Sequence, residues 1–105
     1  MYHSRIESSE VTALFEAILT LRSIEDCYRF FDDVCTIGEV QAMAQRLEVA
    51  KLLSAGVTYA SIVERTKASS ATISRVNKCL LYGAEGYVTV LGRLREGTEG
   101  ETPGD

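Results

Sequence analysis

Apolar positions recur three and four residues apart along most of the chain. That spacing predicts helices. Val11, Leu14, Phe15, Ile18, Leu19 and Leu21 form the apolar side of a first helix that follows a loose arm over 1–7. Ser8 or Ser9 caps it, and it ends near position 21. Ser23 with Asp26 three residues on is close to a capping box and opens a second helix from Ile24 to about Val34. Ile24, Cys27, Tyr28, Phe30 and Phe31 spread over more than one face of it. A helix of that kind is buried on several sides or lies at a subunit interface. Thr36-Ile37-Gly38-Glu39 is a full capping box. It opens the longest helix, 37–55, with Val40, Met43, Ala44, Leu47, Ala50 and Leu53 as the expected core stripe. Gly56 closes it, because glycine accepts the left-handed conformation that ends many helices.

Over 58–81 the pattern shortens to two helices with a break of three or four residues at Lys67-Ala68. Thr58 and Ser69 are the expected N-caps. So short a connection forces a steep crossing, the geometry of a helix-turn-helix. Ala60, Ile62, Val63, Ile73, Val76 and Leu80 are available to lock the pair together. Gly83 breaks the chain again, and Tyr87, Val88, Val90 and Leu91 mark a last helix over about 85–94. From Glu96 onward no apolar residue remains, which predicts a disordered acidic tail over 96–105. The fold class is therefore all-α, about six helices in one domain over 1–95, with the helix-turn-helix at about 58–82.

Composition changes this picture in two places. Hydrophobic residues make up 46% of 105 positions, generous for a small monomer, and raise the expectation of an oligomer. The net charge of −4 conceals a sharp division. Residues 1–40 hold eight acids against three bases, whereas 58–82 hold Arg65, Lys67, Arg75 and Lys78 against Glu64 alone. A local cationic block is what phosphate binding requires, whatever the chain total. Three cysteines without metal-like spacing suit reduced thiols in a cytoplasmic protein. No apolar run is long enough for a membrane span, and the polar N-terminus carries no leader pattern.

The second short helix offers DNA-contacting chemistry. Ser69, Ser70 and Thr72 lie at its N-terminus, where free N–H groups and the helix dipole favour phosphate. Ser74, Arg75, Asn77 and Lys78 follow; a guanidinium can bond bidentately to guanine, and asparagine can read adenine. Thr58 and Lys67 complete the DNA-binding set. Enzymatic motifs are thin. His3 lacks a partner motif, Asp32-Asp33 read as solvated charge, and Lys78 beside Cys79 does not share its helix face. No catalytic residue, metal site or cofactor is expected.

The elements TIGEVQAMAQRLEVAKLL and SSATISRVNKCL, with YGAEGY after them, resemble the Trp repressor superfamily, and within it the YerC/YecD branch of Trp-repressor-related proteins. The resemblance extends back through FFDDVC and covers most of the chain outside the tail. It implies an intertwined homodimer, a Trp-repressor-like fold, and a transcription regulator whose two heads meet a two-fold related double-stranded DNA operator. It also implies a candidate ligand pocket. Arg46 and Arg75 stand where Trp repressor clasps its corepressor, and Thr36 where a threonine lines that pocket. Val76 replaces a glycine that leaves room for the ligand, and Cys79 replaces a serine near the ligand amino group, so the resemblance argues against tryptophan as the effector. Two alternatives stay open: a regulator gated by another small molecule, and a non-catalytic helical module that binds a protein.

Overall fold

A computed structural model of the chain describes residues 2–100, with side chains through Gly97. It contains six helices: α1 (Ser9–Ile18), α2 (Ile24–Val34), α3 (Ile37–Ser54), α4 (Tyr59–Thr66), α5 (Ser70–Tyr82) and α6 (Gly86–Gly100). There is no strand among the described residues. The chain forms two compact units, Met1–Ile37 and Gly38–Asp105.

The N-terminal unit is built on hydroxyl caps. The Val11 N–H donates to Ser8 Oγ over 3.0 Å, and the Asp26 N–H donates to Ser23 Oγ over the same distance. Asp26 answers by accepting from the Arg22 N–H at 3.0 Å, one residue before the cap. α1 stops at Ile18, short of the expected end, and Thr20 turns its hydroxyl back onto the Ala17 carbonyl at 2.7 Å. The Phe30 and Phe31 rings meet edge to face with centroids 5.5 Å apart. Yet neither α1 nor α2 buries a single residue. Phe15, Leu19, Ile24, Tyr28 and Val34 all remain exposed.

The core sits in the second unit. Val49, Ala50 and Leu52 of α3, Ile62 of α4, Ala68 of the turn, and Ile73 and Val76 of α5 are buried together. Leu53, Val57, Leu80, Tyr87 and Leu91 pack around them. This corrects the expected core in two helices. On α3 Ala50 is buried and Leu53 packs on the core as expected, but Val49 and Leu52 are buried as well, while Met43 and Ala44 are exposed and Val40 and Leu47 half-buried. On α4, Ala60 and Val63 are exposed. An eight-residue helix turns only one narrow face inward, and at about 100° per residue that face holds Ile62 and Thr66. The cysteines are less buried than core residues: Cys79 is exposed, Cys27 and Cys35 intermediate.

The breaks fall where the punctuation lies. Gly56, at φ 81°, closes α3. The Val57 N–H reaches the Leu52 carbonyl and the Gly56 N–H the Leu53 carbonyl, each at 3.0 Å, the paired bonds of a Schellman motif. Gly83 ends α5 for a different reason. A Cβ there would collide with the Cys79 carbonyl oxygen and lie 3.0 Å from its Cα. Backbone cannot step aside cheaply. Gly83→Ala is therefore expected to destabilise the second unit by about 1–3 kcal/mol, the range for overpacking. A thermal melt followed by circular dichroism checks it; an unchanged midpoint would show that the α5 terminus can shift freely. α6 runs to Gly100, past Glu96 where the tail was expected to begin. The remainder of that tail, 101–105, lies outside the described residues.

Candidate nucleic-acid interface

Both helices of the 58–82 stretch begin on a hydroxyl cap. The Ser61 N–H donates to Thr58 Oγ1 at 3.3 Å, and the Thr72 N–H donates to Ser69 Oγ at 3.1 Å. Ser69 also passes its own hydroxyl proton to Thr72 Oγ1 at 3.1 Å. Caps satisfy only part of a helix start, since the first four N–H groups have no intrahelical acceptor. Two hydroxylated helix starts are thus present in the head, and α5 is long enough for a full dipole at its N-terminus.

Between them the chain reverses at Lys67, which is left-handed at φ 63°, ψ 14°. Its N–H bonds the Val63 carbonyl at 2.8 Å. Thr66 holds the turn from one side: its hydroxyl donates to the Ile62 carbonyl at 2.7 Å and accepts from the Ala68 N–H at 3.1 Å. Ala68 is itself buried, so the turn is pinned to the core rather than lying over it.

α5 then divides cleanly. Ile73 and Val76 point into the core. Ser70, Ser74, Arg75 and Lys78 are exposed and fall on the opposite arc of the helix, with the small Ala71 among them. Thr72 and Asn77 are half-buried at the two margins of the core face. Of the nine expected DNA-contacting residues, Thr58, Lys67, Ser69, Ser70, Ser74, Arg75 and Lys78 are exposed. Arg65, Lys67, Arg75 and Lys78 form no ion pair among the described residues, whose salt bridges are His3–Glu7, Arg29–Glu25 and Lys51–Glu48.

The expected ligand residues are placed differently. Val76 is 2% exposed and belongs to the core. Arg46 is half-buried on α3, Arg75 exposed on α5, and Thr36 belongs to the N-terminal unit. Cys79 lines a cleft of about 450 Å³ with Leu47, Ala84, Gly86, Tyr87 and Val90, a wall almost wholly apolar. One contributor to the head is absent from the residues read as functional. Gln45 of α3 donates from Nε2 to the Thr66 carbonyl at 3.1 Å across 21 positions. Nothing local in the sequence signals a contact over that separation.

Residues 9–95 match the sequence profile of the family described as Trp repressor protein. The chain belongs to the Trp repressor protein family. It is 51% identical over 102 residues to a protein of Bacillus subtilis (strain 168) described as uncharacterized protein YerC, covering 97% of each. Two solved structures share the fold of this Trp repressor family member. One, a crystal structure of a candidate Trp repressor from Staphylococcus aureus, has a TM-score of 0.83 at 46% identity over 87% of this chain and 91% of that one. The other, a TrpR-like protein from Eubacterium eligens, has a TM-score of 0.82 at 50% identity over 86% and 93%. No helix among the described residues is long and apolar enough to cross a membrane, and none of their His, Cys, Asp and Glu side chains form a group that could hold a metal ion.

Proposed function

We propose that this Trp repressor family member is a sequence-specific, DNA-binding transcription regulator that acts as a homodimer and performs no catalysis. The observation that carries the reading is the α5 face. A recognition helix must be held from behind by apolar contacts and present polar, cationic side chains in front. Ile73 and Val76 supply the first, and Ser70, Ser74, Arg75 and Lys78 the second. Side chains with no ion pair to break are free to meet phosphates and base edges. The homodimer part of the reading is supported by the N-terminal unit. Chains below about 40 residues seldom fold without added support, and this unit of 37 residues has no buried side chain in α1 or α2. A second copy is the partner that would cover its apolar surface and set two heads one DNA turn apart.

Tryptophan is not the expected effector, because Val76 fills core space and Cys79 is a poor hydrogen-bonding group. The test is genome-wide capture of DNA by the purified protein, followed by anisotropy titration of the recovered operator at fixed salt. Arg75→Ala is expected to lower operator affinity about 10- to 100-fold, the equivalent of one lost bidentate base contact. Lys78→Ala is expected to weaken operator and unrelated DNA alike and to reduce the salt slope by about one. Selective binding that neither substitution alters would remove α5 from the interface. Recovery of a stable protein partner and no DNA would instead assign a helical interaction module.

A further inference from the structure

The apolar contacts between α3 and the head are non-directional: Val49, Ala50 and Leu52 meet Ile62, Ile73 and Val76 as a packed cluster. Such packing sets a preferred crossing angle within a scatter of about 15–20°, which leaves room for a directional contact to refine it. The bond from Gln45 supplies direction. It joins α3 to the last residue of α4, whereas the caps and turn bonds of α4 and α5 join residues two to four apart. Its polarity is certain, because a carbonyl oxygen only accepts and the amide must present its nitrogen. Its acceptor is the Thr66 carbonyl, one of the terminal carbonyls that a helix cannot satisfy itself. Both groups are partly buried, so water competes weakly for them. The same Thr66 holds Ile62 and Ala68 through its hydroxyl and precedes the left-handed Lys67. Gln45 therefore grips the head at the residue from which the turn, and then α5, departs.

We propose that Gln45 is a positioning residue that sets the angle of the helix-turn-helix on α3, touching no DNA itself. The DNA part of this proposal rests on the reading of α5 as a recognition helix; the tether does not. Two near-isosteric variants of the full chain separate them. Gln45→Glu replaces the donor with an acceptor, and Gln45→Met removes polarity while keeping length. Amide hydrogen exchange measured without DNA is expected to rise about five- to tenfold at Lys67 and Ala68 in both variants, while Val49, Ala50 and Leu52 stay protected. Affinity for the captured operator is expected to fall about five- to tenfold, with affinity for unrelated DNA unchanged. Unaltered exchange at the turn in both variants would overturn the tether. Faster exchange with unaltered operator selectivity would overturn the positioning role. A wild-type chain that selects no DNA would overturn the DNA reading, while faster exchange in the variants would still uphold the tether.

Discussion

Replacing Ile62 with alanine is expected to lose about 2–5 kcal/mol of folding free energy, the range for truncating a fully buried isoleucine. Ile62 is 0% exposed and is the single buried residue of α4. A helix of eight residues is too short to persist on its own propensity, since isolated helices below about 12–15 residues are marginal in water. α4 therefore exists because Ile62 is anchored between α3 and α5. A domain of this size has only about 5–15 kcal/mol to lose. The melting midpoint is expected to fall by about 10 °C or more, at about 4–8 °C per kcal/mol for a small domain. Ile62→Val, which removes one methylene, is expected to cost about 0.5–1.5 kcal/mol. Circular dichroism melts of the three proteins check the series. Equal midpoints would mean that α4 is held by something other than its one buried side chain. Self-association should survive Ile62→Ala if the dimer is built on the apolar surface of α1 and α2.

That surface is the subject of the second large effect. Phe15→Glu and, separately, Tyr28→Glu are each expected to convert the protein from dimer to monomer at micromolar concentration. In a single chain Phe15 is 48% exposed and Tyr28 69%, so an isolated unit would tolerate either change. Surface substitutions ordinarily stay within about 0.5 kcal/mol. Burying a carboxylate in an apolar interface without a partner costs several kcal/mol, enough to raise a dissociation constant more than about 100-fold. Sedimentation velocity across a dilution series distinguishes the two. A wild-type chain that sediments as a monomer would end the homodimer reading, and variants that still pair would move the interface elsewhere.

The helix order was readable in the sequence because its signals are local. Ser8, Ser23, Thr58 and Ser69 each cap the helix that follows, and each cap bond spans three residues. Gly56 ends α3 because the left-handed turn there admits glycine without strain. Helix faces were harder to read. α3 carries apolar residues around much of its circumference, so periodicity alone does not say which stripe meets the chain's own head. Val49 and Leu52 do, whereas Met43 stays open. Ala60 and Val63 misled in the same way, because eight residues are too few to define a stripe.

The candidate DNA surface was legible as a charge block. The division of α5 into core and exposed sides then followed from helical spacing. Gln45 was not legible, since a bond across 21 positions is a product of the tertiary fold. The end of α6 was misplaced for a simpler reason. Apolar content stops at Leu94, but nothing between Glu96 and Gly100 forbids helix, and the one proline comes later, at position 103.

The cations of the head, unpaired among the described side chains, also bear on how quickly the protein would find DNA. Arg65, Lys67, Arg75 and Lys78 have no carboxylate to let go before they reach a phosphate. Residues 1–40, with five more acids than bases, would add nothing to such an attraction. If the head binds DNA, that attraction acts before contact and fades as salt shortens the reach of the field, so the association rate is expected to fall steeply with ionic strength.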